Sequence, residues 1–295
     1  LSHSERHKEV PLFQGARDPI IGLHDPSKQW LGHGTDGLGG KGLSSLGEGV
    51  AVVETPGAVA YLQLADQYAG QLEILALGPL TNIALAAKLD PSFPSKIRRL
   101  VIMGGCESAN GNSGCASEFN WKADPEAAHV VLEAFSRQTS PADMLGVHIE
   151  PKIVVVPWEC TLRSALEWEF FDSLVPPQND TQQGAFLNGI CEALQVHSGR
   201  LPIGLESAAG GGMGFLPCDA YAACVLEDEG VVAQSRDIFC GVELGGTMGR
   251  GLSYFDWYGQ LKDKEGKKKA PNIRLIQQLH LSRVKELLEN TFLNR

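Results

Sequence analysis

The run Ser117-Glu118-Phe119-Asn120, closed by Asp124-Pro125-Glu126-Ala127-Ala128, decides how this chain reads. It sets a carboxylate and a carboxamide two residues apart around an aromatic ring, then starts a helix. Asp124 is a capping residue, and Pro125 occupies the first turn, where a missing N–H costs nothing. Immediately upstream, Val101-Ile102-Met103-Gly104-Gly105 is an apolar strand that breaks into glycines, followed by a polar loop from Glu107 to Ser117. Strand, glycine break, polar loop and helix start is the order in which an α/β enzyme builds a site at the carboxyl ends of its strands. Two polar side chains at this spacing can grip adjacent hydroxyls of a small polyol. The plainer reading is an ordinary loop with a helix cap, and spacing alone does not separate the two.

Outward from this stretch, short β-rich runs alternate with amphipathic ones. Val10–Phe13, Leu72–Leu77, Leu100–Met103, Ile153–Val156, Ile238–Leu244 and Ile273–Ile276 read as strands. Helical patterns cover Ala58–Tyr68, Leu80–Ala87, Pro125–Phe135, Gly184–Val196, Asp219–Leu226 and Ser282–Phe292. Such alternation implies βαβ units, hence an α/β fold with a mostly parallel sheet and helices on both faces. Gly251–Trp257 and Ile273–Ile276 flank a lysine-rich turn, which suggests a hairpin, and Gly204–Gly214 reads as a flexible loop. No linker divides the chain, so residues 1–295 are expected to form a single domain.

The composition excludes several classes. With 35 acidic against 25 basic residues, nucleic acid and anionic membrane are unsuited as partners. The one basic cluster, Lys262 to Lys269, is interspersed with acids and reads as a solvated turn. No run approaches the ~18 apolar residues of a membrane span. Seven cysteines without a C-x-x-C pair fit reduced thiols and a cytoplasmic protein. Leu1 to Glu9 is polar and does not read as a signal peptide. Gly37 to Gly42 literally fits G-x-G-x-x-G, but it lacks the flanking strand and helix of a dinucleotide site, which leaves an oxidoreductase reading little support. Trp158-Glu159-Cys160 follows a buried-looking strand, yet Cys160 has no identifiable histidine partner for acyl transfer.

Met103-Gly104-Gly105, Asn112, Glu118-Phe119-Asn120 and Asp124 to Ala128 together resemble the inosine/uridine-preferring nucleoside hydrolases. Other segments agree in order: Val10 to Gly15 leading to His33-Gly34-Thr35-Asp36-Gly37-Leu38-Gly39-Gly40, then Leu77-Gly78-Pro79-Leu80-Thr81-Asn82-Ile83-Ala84, then Cys218-Asp219-Ala220-Tyr221-Ala222. The resemblance runs from about Val10 to the terminal helix. It implies a Rossmann-like nucleoside hydrolase fold and a nucleoside N-ribosyl hydrolase, which converts nucleoside and water to base and ribose through an oxocarbenium-like transition state. It also implies a Ca2+ cofactor that chelates the ribose diol and activates water, with Asp219 and the Leu77 backbone carbonyl among its ligands. Asn112, Glu118 and Asn120 would bind sugar hydroxyls, Met103 would wall the sugar, and Phe119 and His33 would lie close by. Family members are often dimers or tetramers, so a homo-oligomer is expected.

The chain also departs from the family pattern. Its members begin with a strand ending in D-x-D-x-x-x-D-D, which supplies most calcium ligands and the general base, and no segment here carries four acids at that spacing. The expectation is therefore an N-terminally truncated member whose first strand, central in such folds, is missing, at a cost exceeding the ~5–15 kcal/mol that holds a domain together. The tract Arg137–Glu150, long for a helix-to-strand joint, agrees with this. Cys218 stands where many members carry a histidine acid; a thiol is a poor match for that task. The alternative is a non-catalytic relative that binds ribose or nucleosides.

Overall fold

The structure, a computed structural model, describes residues 10–23, 51–136, 151–175, 187–192, 195 and 214–293. Five expectations lie outside these residues: the polar start at Leu1–Glu9, the His33 loop, the glycine-rich pattern at Gly37–Gly42, the Arg137–Glu150 tract and most of the Gly204–Gly214 loop.

A five-stranded sheet organises the described residues. Its strands are β3 (Leu72–Ala76), β4 (Ile97–Met103), β5 (Ile153–Val156), β6 (Val232–Ile238) and β9 (Ile273–Leu279), in the order β3-β4-β5-β9-β6. Four run parallel and β6 alone is antiparallel, against β9. Two short pairs accompany it: β1 (Leu12–Phe13) beside β2 (Val52–Val53), and β7 (Cys240–Val242) against β8 (Ser253–Phe255).

Alternation along β4 shows why both faces are covered. Leu100 and Ile102 point into one apolar cluster with Ile74, Ile153, Val155 and Leu275, packed beneath α1 (Gly57–Gln67), α2 (Thr81–Leu89) and α5 (Pro125–Ser136). Val101 and Met103 point the other way, into a cluster with Val154, Val156 and Ile276, covered by α6 (Trp158–Arg163), α7 (Trp168–Leu174), α8 (Cys218–Glu227) and α9 (Leu281–Leu293). A period of two on a strand buried on both faces gives the continuous hydrophobic run seen in the sequence. Two short helices, α3 (Phe93–Lys96) and α4 (Phe119–Ala123), complete the labelled elements, and residues 187–192 are also helical.

Two expectations need correction. Ile238–Leu244 is not one strand: β6 ends at Ile238, and Asn272 both accepts from Cys240 N (2.7 Å) and donates to Cys240 O (2.9 Å), turning the chain into β7. The Gly251–Trp257 segment does not pair with Ile273–Ile276, because β8 is hydrogen-bonded to β7 while β9 lies between β5 and β6. Among the described residues β3, β4, β5 and β9 are bonded side by side with β3 outermost, and β1 and β2 pair apart from that sheet.

Candidate active site

Met103 ends β4, and the chain turns sharply at Gly104 and at Gly105, whose φ is +75°. No side chain fits at Gly104, since a Cβ there would come within 2.5 Å of Trp121 Nε1. Trp121 is fully buried, and its Nε1 is a buried donor with no hydrogen-bond partner among the described residues. The ring thus wedges the start of α4 against the end of β4.

Glu118 is the N-cap of α4. Its Oε1 accepts from Asn120 N (2.7 Å), and its Oε2 accepts from Gly105 N (3.0 Å) and Trp121 N (3.1 Å). One carboxylate therefore satisfies the orphan donors of a helix start and also ties that helix to the glycine break of β4. The side chain is 2% exposed. Burial pushes its carboxyl up to about 7, against the opposing pull of the three N–H groups, and the nearby Asp219 charge adds to the rise. Asn120 donates from Nδ2 to Met103 O (3.1 Å), leaving its carbonyl oxygen for another donor. Asn112 accepts from Phe119 N (2.9 Å). The helix-cap reading and the convergence of polar groups are thus both realised by the same residues.

Asp219 lies in the first turn of α8, after Cys218, and its charge also bears on Cys218. Burial pushes the Cys218 thiol up to about 12. It stays protonated at neutral pH and is a weak proton donor, so the structure gives the acid role no support. Burial likewise pushes Cys160 up to about 12, against a thiolate nucleophile there. Leu77 follows directly on β3, at the same carboxyl edge of the sheet, with its side chain exposed. Met103, Leu77, Glu118, Asn120 and Asp219 are all borne by segments at the carboxyl ends of β3 and β4 or by the helices packed there. His33 lies outside the described residues.

Glu159 was not singled out from sequence as a site residue, although it organises the loop that leads to Asn112. It is 4% exposed. Its carboxylate accepts from Glu107 N (2.6 Å), Ser108 N (2.8 Å), Ser108 Oγ (3.2 Å) and Asn110 N (3.2 Å). This anchor holds Ala109 at a φ of +59°. The signal available was an acid three residues after the end of a buried strand, on the same edge as Met103. Ser253 makes a second clasp, accepting from Cys106 N (2.7 Å) and donating to Cys106 O (2.6 Å).

Among the described residues, no group of three or more His, Cys, Asp or Glu side chains could hold a metal ion. Asp219 and the Leu77 carbonyl offer two protein oxygens, where calcium takes about 6–8. The described donors do not make a calcium cage. No helix among the described residues is long and apolar enough to cross a membrane.

Polar side chains gathered at the carboxyl edge of a mostly parallel sheet stand where α/β folds bind small molecules. The family model "Inosine-uridine preferring nucleoside hydrolase" matches residues 1–286, and the chain belongs to that family. A relative named "Probable uridine nucleosidase 1", from Oryza sativa subsp. japonica, is 38% identical over 147 residues, 50% of this chain and 43% of the relative. "Pyrimidine-specific ribonucleoside hydrolase RihB" of Escherichia coli O9:H4 (strain HS) is 34% identical over 155 residues, 50% of this chain and 44% of the relative. The matched segments thus span less than half the length of these curated relatives. Among solved structures, "Inosine-Guanosine Nucleoside Hydrolase (IG-NH)" superposes with a TM-score of 0.76 at 28% identity, over 97% of this chain and 82% of that one. "Plant nucleoside hydrolase - PpNRh1 enzyme" gives 0.74 at 22% identity, over 97% and 81%, and supports the fold alone.

Proposed function

We propose that the protein acts as a nucleoside N-ribosyl hydrolase, releasing base and ribose. The observation that carries this reading is the joining of Glu118, Asn120 and Met103 at one strand end that also faces Asp219, in a chain of the nucleoside hydrolase family. In this proposal Asn112 and Asn120 bind ribose hydroxyls, and Glu118 presents its remaining acceptor capacity to a third. Met103 packs against the sugar, with Phe119 at its rim. Calcium would take Asp219 and Leu77 O as two of its ligands, and the rest of its shell lies beyond the described donors. The leaving base is a purine or a pyrimidine. Seven free cysteines support a cytoplasmic setting.

A second reading, a ribose- or nucleoside-binding relative without turnover, is favoured by one observation: Glu118 already spends both oxygens on backbone N–H groups. Calorimetry with inosine, uridine and ribose, with and without calcium, run beside a reducing-sugar assay, separates the two. Release of ribose supports hydrolysis. Saturable binding without release and without calcium supports the second reading, and the absence of both binding and release overturns the site as described.

A further inference from the structure

A second concavity lies at the opposite, amino-terminal end of the parallel strands, where β6 ends and β9 begins. It measures about 320 Å³ and is walled by Arg236, Phe239, Asp256, Trp257, Tyr258 and Lys269. Cavities of this size admit small organic molecules.

Its charges are unevenly committed. The Arg236 guanidinium rests over the Trp257 ring, 5.4 Å from its centroid, and Lys269 Nζ sits 4.2 Å from the centroid of Phe239. Among the described residues neither cation is ion-paired. Both carboxylates in the wall are already engaged: Asp237 accepts from Arg274 Nε (3.0 Å), and Asp256 accepts from Gln260 N and Leu261 N (2.8 Å each). The hairpin that brings Lys269 here carries five lysines against two acids from Lys262 to Lys269, in a chain whose net charge is −10. Asp263 is spent within that hairpin, accepting from Glu265 N and Lys267 N. Arg236 donates from Nη2 to Trp257 O (2.9 Å), which leaves Lys269 Nζ and the other guanidinium N–H groups as the cavity's available cationic donors. Tyr258, at 86% exposure, offers a free aromatic face beside it.

We propose that this cavity binds a planar heteroaromatic ring bearing a phosphate, of the nucleoside monophosphate class, at a site separate from the Glu118 centre. The ring stacks on Tyr258 at the edge of Trp257, and the phosphate meets Lys269 and the outward N–H groups of Arg236. Each part of the ligand answers one observation: an exposed stacking platform calls for a π-face, and two cations without carboxylate partners call for a compact anion. Neither uridine nor inorganic phosphate satisfies both.

The test is titration calorimetry of the full chain with uridine 5′-monophosphate, uridine and inorganic phosphate. The monophosphate is expected to bind saturably at one site, with affinity falling as salt is raised. Lys269→Ala and Tyr258→Ala should each weaken it about tenfold, a change of about 1.4 kcal/mol, while Tyr258→Phe, which keeps the ring, should not. Both positions lie at the surface, so the variants are expected to keep the melting temperature of the parent. Uridine and phosphate alone should each bind at least about tenfold more weakly here. The proposal is overturned by undetectable binding of the monophosphate, by equal affinity for inorganic phosphate, or by binding that neither alanine variant changes.

Discussion

Replacing Glu118 with alanine is expected to destabilise the fold by roughly 3–5 kcal/mol and to abolish nucleoside binding. The magnitude follows from what one side chain does: three backbone N–H groups, those of Gly105, Asn120 and Trp121, lose their acceptor inside a buried site. Glu118→Gln keeps the shape but places an NH2 group against at least one of those donors, so it recovers only part of the loss. The two substitutions differ further in pH dependence. Glu118 has its carboxyl raised to about 7 in the folded chain, chiefly by burial, from an ordinary value of 4.5. Between these values the folded state holds a proton that the unfolded chain has released. Its contribution is fully present below about pH 4.5 and is withdrawn as pH rises through about 7, amounting to about 3 kcal/mol over that window. Urea denaturation in metal-free buffer at pH 5 and pH 8 should show the parent losing stability relative to Glu118→Gln by about that amount. Parallel pH profiles for the two proteins would refute the buried titration.

The second large effect is expected at Asp124. It is 1% exposed; Oδ2 accepts from Thr81 Oγ1 (2.6 Å) and Ile20 N (2.9 Å), and Oδ1 accepts from Ala127 N (3.0 Å). One carboxylate caps α5, holds the first turn of α2 and ties down the segment around Ile20. Asp124→Ala removes the cap and strands a hydroxyl and two N–H groups, a loss of roughly 2–4 kcal/mol. Asp124→Asn can serve only part of this set, because its amide nitrogen accepts from nothing. Native-state hydrogen exchange should show the Ile20 amide losing protection in both variants. An Ile20 amide that exchanges at the parent rate in Asp124→Ala would break the link between α5 and that segment.

The sequence was most readable where one principle governed a residue. Leu100 to Met103 and Ile153 to Val156 are buried on both faces, so continuous apolar runs marked them as parallel strands, and Asp124-Pro125 announced the start of α5. Legibility failed where tertiary pairing overrode pattern. Val232–Ile238 is largely polar and exposed, and it becomes a strand only because β9 offers it an edge. Trp158–Arg163 and Trp168–Leu174 are too short for helical periodicity to show, and packing stabilises them, the first on α8 and β9 and the second on α9. The Ser117–Asn120 motif put the candidate site at the end of β4, where Glu118, Asn120 and Met103 meet, but sequence could not say that Glu118 would accept from three backbone donors. Glu159 escaped for a related reason: its partners are main-chain N–H groups, which leave no trace in residue type.

Between Gly111 and Ser117 the chain doubles back so tightly that a Cβ at Gly111 would lie 2.0 Å from Ser117 O. The outer bend carries Cys115, the one exposed thiol among cysteines that are otherwise buried or half-buried. A maleimide dye added to native protein should therefore attach there first and sit a few residues from both Asn112 and Glu118. A fluorophore's anchor point thus lies beside the candidate site, and ligand binding there is expected to change the dye's emission without engineering the chain.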